Sequence, residues 1–311
     1  MGLSALPNNT TANNNIAIGY NTMTSNTTGC QNTAVGTQAL YSSSTGNNNI
    51  AIGISALYSN TTGHNNVSIG CVALGANTEG VSNVAIGYRT LDANTTADCI
   101  VAIGAFALTS NTTGPNNTAV GTEALGDNTT GSGNAALGNY ALSCNTDGYN
   151  NTGLGNAALL KNTTGDMNTA VGHDALACNT TASGNTAVGQ DAMRINTTGT
   201  ANVAVGCGAL ICNTTGSNHT AVGRNSLGDN TTSSSNSAFG GNSLASNTTG
   251  NFNTALGYDA LLLNTTASAN TAVGTDSLRV STTGAENTAV GRSALAVTTT
   301  GNQNSAFGCG A

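Results

Sequence analysis

A large apolar residue, a glycine and a leucine recur along the chain in fixed phase, with a 17-residue period. One complete unit runs Asn117-Thr118-Ala119-Val120-Gly121-Thr122-Glu123-Ala124-Leu125-Gly126-Asp127-Asn128-Thr129-Thr130-Gly131-Ser132-Gly133. Counting Asn117 as position 1, position 5 is glycine from Gly19 to Gly308 without an insertion or deletion. Position 4 is Val, Ile, Leu or Phe, position 9 is Leu or Met, and position 3 is Ala except at Ser68 and Gly153. Strand alternation puts positions 2 and 4 on one side of a strand and position 3 on the other. By size, position 4 is expected to point inward with Leu at position 9, leaving position 3 where something packs closely. The glycine at position 5 ends the strand, and Asn-Thr-Thr-Gly at positions 12 to 15 is turn chemistry. A short helical turn fits positions 6 to 10, as in Gln38-Ala39-Leu40-Tyr41, and two short strands are expected in each coil.

A fixed period of this length reads as an all-β fold, a parallel β-solenoid (β-roll or β-helix) of about 18 coils with 17 residues per coil. A length of 311 residues would ordinarily suggest two domains. The unbroken period instead predicts a single repeat domain over residues 1–311, growing along one axis. Solenoids usually close their end coils with atypical polar repeats, and neither end of this sequence carries one. The expectation is a segment of a longer fibre, or coils that stack end to end between copies. Each coil offers one Val or Ile and one Leu to a core, too little to offset the entropy of ordering a whole coil. Stacking, and association between copies, must supply the rest.

Composition narrows the function. Only 6% of residues are charged, the net charge is -7, and the cations are Lys161 and five scattered arginines. Phosphate neutralisation needs clustered cations, so a nucleic-acid partner is excluded. No run approaches the roughly 20 apolar residues of a membrane span, and the opening residues show no basic segment followed by an apolar core.

The units Asn49-Ile50-Ala51-Ile52-Gly53, Asn66-Val67-Ser68-Ile69-Gly70 and Asn83-Val84-Ala85-Ile86-Gly87 resemble the head repeats of trimeric autotransporter adhesins. The fuller form N-T-A-V-G-x-x-A-L-x-x-N-T-T-G is similar to repeats of tail-fibre-type surface proteins. The resemblance runs along essentially the whole chain. It implies a left-handed parallel β-roll, usually trimeric, that displays an adhesive surface. The adhesin coil is typically shorter, so the cross-section here differs.

Several residue sets carry candidate chemistry. Asn-Thr-Thr at Asn9, Asn26, Asn60, Asn94, Asn111, Asn128, Asn162, Asn179, Asn196, Asn213, Asn230, Asn247 and Asn264 fits the glycan-acceptor pattern, as do Asn8, Asn66, Asn116, Asn150 and Asn218. The same tripeptide is also a good turn, which needs no sugar. Asparagine at position 1, replaced only by Ile100 and His219 in the full repeats, predicts a ladder of amides along the stack. Carboxylates recur at position 7, and the stacked pairs Asp174 with Asp191 and Asp259 with Asp276 are weak candidates for Ca²⁺. The eight cysteines form no framework, and only Cys207 and Cys212 share a coil. His64, His173 and His219 occupy unrelated repeat positions, so no catalytic set recurs and no cofactor is implied.

The expected function is a self-assembling structural fibre, extracellular or on a cell or virion surface, with copies of itself as partners, end to end or laterally or as a trimer. Glycans along the Asn-Thr-Thr edge belong to that expectation. The alternatives are an adhesin or tail-fibre head that binds a receptor or glycan, and an ice-binding solenoid built on rows of threonine.

Overall fold

The protein was analysed as a computed structural model, which describes residues 3–311. Two compact units, residues 1–153 and 154–311, divide the chain, and each is a parallel β-solenoid. Among the described residues, eighteen three-residue strands, from β1 (Ile16–Ile18) to β18 (Ser305–Phe307), occupy positions 2 to 4 of successive repeats. Among the described residues there is no helix. In the first unit each strand from β1 to β8 (Ala135–Leu137) pairs in parallel with the next, as Val101 with Thr118 and Thr118 with Ala135. In the second unit the same pairing runs from β10 (Thr169–Val171) to β18, beginning with Thr169 beside Thr186.

Each coil has one strand, not two, and positions 6 to 10 form turns instead of a helical turn. The reason lies in the backbone. Positions 7, 9 and 17 are left-handed in coil after coil, as at Glu123 (φ 55°), Leu125 (φ 53°) and Asn116 (φ 60°). An isolated left-handed residue with a Cβ costs about 1 to 2 kcal/mol, so this repeated choice needs a return. The return is hydrogen bonding along the stack. The Glu123 N–H reaches the Ala105 carbonyl at 3.1 Å, Leu125 that of Ala141 at 3.0 Å, and Asn116 that of Asp98 at 3.1 Å. The non-strand part of the coil is thereby laddered to its neighbours although it is not extended.

The alternation is opposite to the size-based expectation. Position 3 is the buried one: Ala34, Ala51, Ala102, Ala119 and their equivalents are fully enclosed, whereas positions 2 and 4 are half-buried or exposed. The interior is filled by Leu at position 9 with Ala at positions 3 and 8, and it is too narrow to admit a second large side chain from the strand. Where Ser68 replaces the alanine, its hydroxyl donates to the Ala73 carbonyl at 2.7 Å, so the extra polar atom is satisfied internally.

The other half of the interior is amide. Away from the first and last coils, asparagines at positions 1 and 12 are buried with essentially no exposure. At position 1, Asn66 Oδ1 accepts from the Asn83 N–H at 3.0 Å and its Nδ2 donates to the Gly80 carbonyl at 2.9 Å. At position 12, Asn77 Nδ2 donates to the same Gly80 carbonyl at 3.1 Å and to Asn60 Oδ1 at 2.9 Å. Two amide columns thus converge on one row of carbonyls, and a buried amide lacking such partners would cost about 1 to 3 kcal/mol. Among the described residues three buried atoms do lack one: Asn26 Oδ1, Ser43 Oγ and Asn264 Oδ1. Their cause is visible in the sequence, because Ser43 and Ser281 stand at position 12 and cannot reach back to Asn26 and Asn264.

The glycine at position 5 has two reasons to be glycine. Gly121 sits at φ 138°, and a Cβ there would stand 2.5 Å from the Gly138 carbonyl oxygen of the next coil. Position 15 is less strict, since Ala97, Ala182 and Ala267 occupy it and remain buried.

Substituting Ser43→Asn or Ser281→Asn should complete the amide column and raise unfolding stability by about 1 to 3 kcal/mol each. Asn128→Ala, which takes from Asn145 Nδ2 one of its two acceptors and from Asn111 Oδ1 its amide donor, should lower it by a similar or larger amount. Urea unfolding of the three variants beside the parent protein measures both directions.

Candidate functional site

Three kinds of outer surface remain once the interior is assigned. The first is the outward side of the strands, positions 2 and 4. It carries Ile16 and Ile18 (53% and 51% exposed) and Ile50 and Ile52 (38% and 39%) in the first unit, and Val203, Val205 (36% each) and Leu256 (49%) in the second. No charged residue occupies position 2, 3 or 4 of any repeat.

The second surface, positions 6, 7, 10 and 11, is where the repeat varies. All six Lys and Arg residues of the chain lie there: Arg89, Lys161, Arg194, Arg224, Arg279 and Arg292. Arg89 pairs with Asp92 at 3.0 Å, and Arg194 with Asp191 at 3.6 Å. These pairs are partly exposed, so each contributes little to stability. Aromatic contacts sit here too, with Tyr41 stacked on Tyr58 (5.1 Å, 4°) and Tyr88 edge-on to Phe106 (5.3 Å, 89°). Shallow hollows open between positions 7 and 10 or 11 of neighbouring coils. One of about 400 Å³ lies beside Tyr58 over Gly75, and another of about 390 Å³ is lined by Leu160, Lys161, Asp174, Cys178 and Arg194.

The stacked carboxylates meet different fates on this surface. Asp259 and Asp276 are bridged by one guanidinium, Arg279 Nε lying 3.9 Å from Asp259 and 3.4 Å from Asp276. An arginine therefore lies within ion-pair distance of both carboxylates at the pair that was a weak candidate for Ca²⁺. Asp174 instead has His173 beside it, the ring Nδ1 lying 3.5 Å from Asp174 Oδ2, and the ligand atoms of His173, Asp174 and Asp191 lie within 4.8 Å of one another. His173 stands at position 6 in the sequence but was not read as linked to this carboxylate pair. Its signal was available, since it sits at position 6 immediately before the first carboxylate of a pair in phase.

The third surface is the Asn-Thr-Thr corner, and it exposes threonine, not asparagine. Of the thirteen Asn-Thr-Thr acceptor candidates, all but Asn9 are fully buried. Their amide nitrogens are engaged, as Asn111 Nδ2 is with the Gly114 carbonyl at 3.1 Å and Asn128 Nδ2 with that of Gly131 at 2.9 Å. A glycan on these nitrogens has no room in the folded coil, so the tripeptide serves as turn and ladder. Asn66, at position 1, is buried in the same way. The exposed acceptor patterns are those of Asn8, Asn9, Asn116, Asn150 and Asn218. Thr at position 13 is also committed to the ladder, Thr112 Oγ1 donating to the Thr129 carbonyl at 3.1 Å. All eight cysteines are thiols with no disulfide among them, Cys207 and Cys212 included. Burial, and then the charge of Asp229, push the Cys212 thiol above its ordinary pKa.

His219 is the one ring in an amide column, and it reproduces the asparagine pattern. Its Nδ1 accepts from the Asn236 N–H at 3.2 Å, and its Nε2 faces the Ser233 carbonyl at 2.7 Å. That arrangement calls for a neutral ring carrying its proton on Nε2. Burial, partly offset by these two hydrogen bonds, holds the imidazole below the ordinary histidine pKa. The unfolded chain then takes up a proton before the folded coil does. Stability is full above the ordinary value of about 6.5 and is lost as pH falls below it.

No protein-family model matches this chain, and no curated protein matches it.

His219→Asn should retain the column and abolish its acid sensitivity. Urea midpoints at pH 7.5 and 5.5 should fall for the parent protein, and by less than half as much for the variant. An equal fall in both would assign the acid loss to other groups.

Proposed function

We propose that this chain is a structural protein that associates side by side with copies of itself into an extracellular or surface fibre, with the outer strand surface as the contact. The solenoid fold is compatible with such a fibre-forming role. The observation that carries the reading is the uncharged outer strand surface, on which position 4 is Val, Ile, Leu or Phe in every repeat beside threonine, serine or an aliphatic residue at position 2, without a single interrupting charge. Soluble proteins rarely leave a contiguous apolar patch of more than a few hundred Å² open to water, and such patches mark contacts. Opposed surfaces of β-branched residues at strand spacing also interdigitate well. Large hydrophobic residues at positions that do not fill the core are wasteful in a monomer and useful in an assembly. A three-copy arrangement is the stoichiometry that the adhesin-head resemblance implies. The role is non-catalytic and needs no cofactor.

A second reading draws on the variable surface. A purely structural array has no need to vary positions 6, 7, 10 and 11, yet these hold every cation and both aromatic contacts. An adhesin or tail-fibre head would present that surface to its receptor while the strand surface holds the copies together.

The triple substitution Val188→Lys, Val205→Lys and Val222→Lys places three ammonium groups on the outer strand surface of the second unit. Sedimentation and electron microscopy should show the parent protein assembled and the variant reduced to single chains, with circular dichroism unchanged. A parent protein that stays monomeric at high concentration, or a variant that assembles as before, overturns the reading.

A further inference from the structure

We infer that His173, Asp174 and Asp191 form a binding site for a first-row divalent transition metal ion on the variable surface of the second unit. Three donor atoms of two kinds converge from two coils, an imidazole nitrogen and two carboxylate oxygens, all within 4.8 Å of one another. The backbone fixes their register, because the Asp191 N–H donates to the His173 carbonyl at 3.0 Å and the Asp174 N–H to that of Asn156 at 3.1 Å. Bonds of about 2.0 to 2.2 Å from nitrogen and oxygen to a metal need only small side-chain rotations at this surface, where the Asp174 and Asp191 side chains are 27% and 26% exposed.

The other stacked carboxylate pair supplies the independent comparison. Asp259 and Asp276 lie in the same repeat position, and Arg279 reaches both of them. At Asp174 and Asp191 the equivalent arginine, Arg194, reaches only Asp191, at 3.6 Å. Asp174 is left with an imidazole as its nearest charged or chargeable partner, although Lys161 lines the same hollow. Two like charges one coil apart repel unless a cation lies between them, and here the cation position is bordered by a nitrogen ligand. A nitrogen donor selects against Ca²⁺ and Mg²⁺, which take oxygen, and favours Zn²⁺, Ni²⁺ or Co²⁺. Gln190 Nε2, donating to Asp191 Oδ2 at 3.3 Å, orients that carboxylate from outside the ligand set. Arg194 is the competitor that an entering metal ion must displace.

Thiols are themselves metal ligands, and Cys178 lines the adjoining hollow, so the test uses the full chain with its cysteines alkylated. Titration calorimetry with NiCl₂ and with ZnCl₂ should give one saturable site per chain. His173→Ala and Asp174→Asn should each weaken it at least tenfold, on the scale at which metal-site substitutions act. Arg194→Ala should tighten it severalfold, an effect that a merely structural role for these side chains would not produce. Paramagnetic Ni²⁺ should broaden the His173 ring resonances and leave those of His64 sharp. Absence of saturable binding to the parent chain, or binding that survives His173→Ala, overturns the assignment. Because these side chains lie off the strand surface, that failure leaves the assembly reading untouched.

Discussion

Buried amides that can be satisfied only by their own copies one coil away are the constraint on which everything else rests. An asparagine side chain enclosed in a core is costly alone, yet here nearly every Oδ1 and Nδ2 meets a partner in its own or the neighbouring coil, the exceptions being the Oδ1 atoms that face a serine. This requires identical chemistry at identical height in every coil, which the 17-residue period supplies. The carbonyl row at position 15, receiving two amides per coil, ties the Asn-Thr-Thr corner to the start of the strand. Leucine at position 9 and alanine at positions 3 and 8 then fill what little volume remains.

Period, fold class and strand position were legible because they depend on repetition, and repetition is visible in one sequence. The facing of the strand was not. Size suggested that Val120 should be inside and Ala119 outside, but a cross-section this narrow already houses Leu125, and only a methyl group fits beside it. The left-handed conformation of Leu125 and Glu123 was equally hidden, since neither residue type favours it. It is imposed by the hydrogen bonds their N–H groups make along the stack, a tertiary cause with no local signature.

Polar sites were read by motif where stacking decided them. Asn128-Thr129-Thr130 matches an acceptor pattern, and the fold uses the same atoms to hold coils together. The carboxylate pairs share a repeat position, but their surroundings differ, with Arg279 beside both members of one pair and His173 and Arg194 beside one member each of the other. Residues at one repeat position are therefore best interpreted as columns, with their environment set one coil away in either direction.

The glycine column at position 5 limits how such a gene can change. Gly121 touches the carbonyl of Gly138, and every amide row shares that phase. One residue inserted between positions 1 and 5 would bring a side chain against a carbonyl and put that coil out of register with the coil on either side. Such an insertion breaks contacts on both sides of its coil, whereas loss or gain of a whole 17-residue coil leaves every column in phase. Length in such an array is inherited in quanta, and the nearly identical units of this sequence are the substrate for that loss or gain.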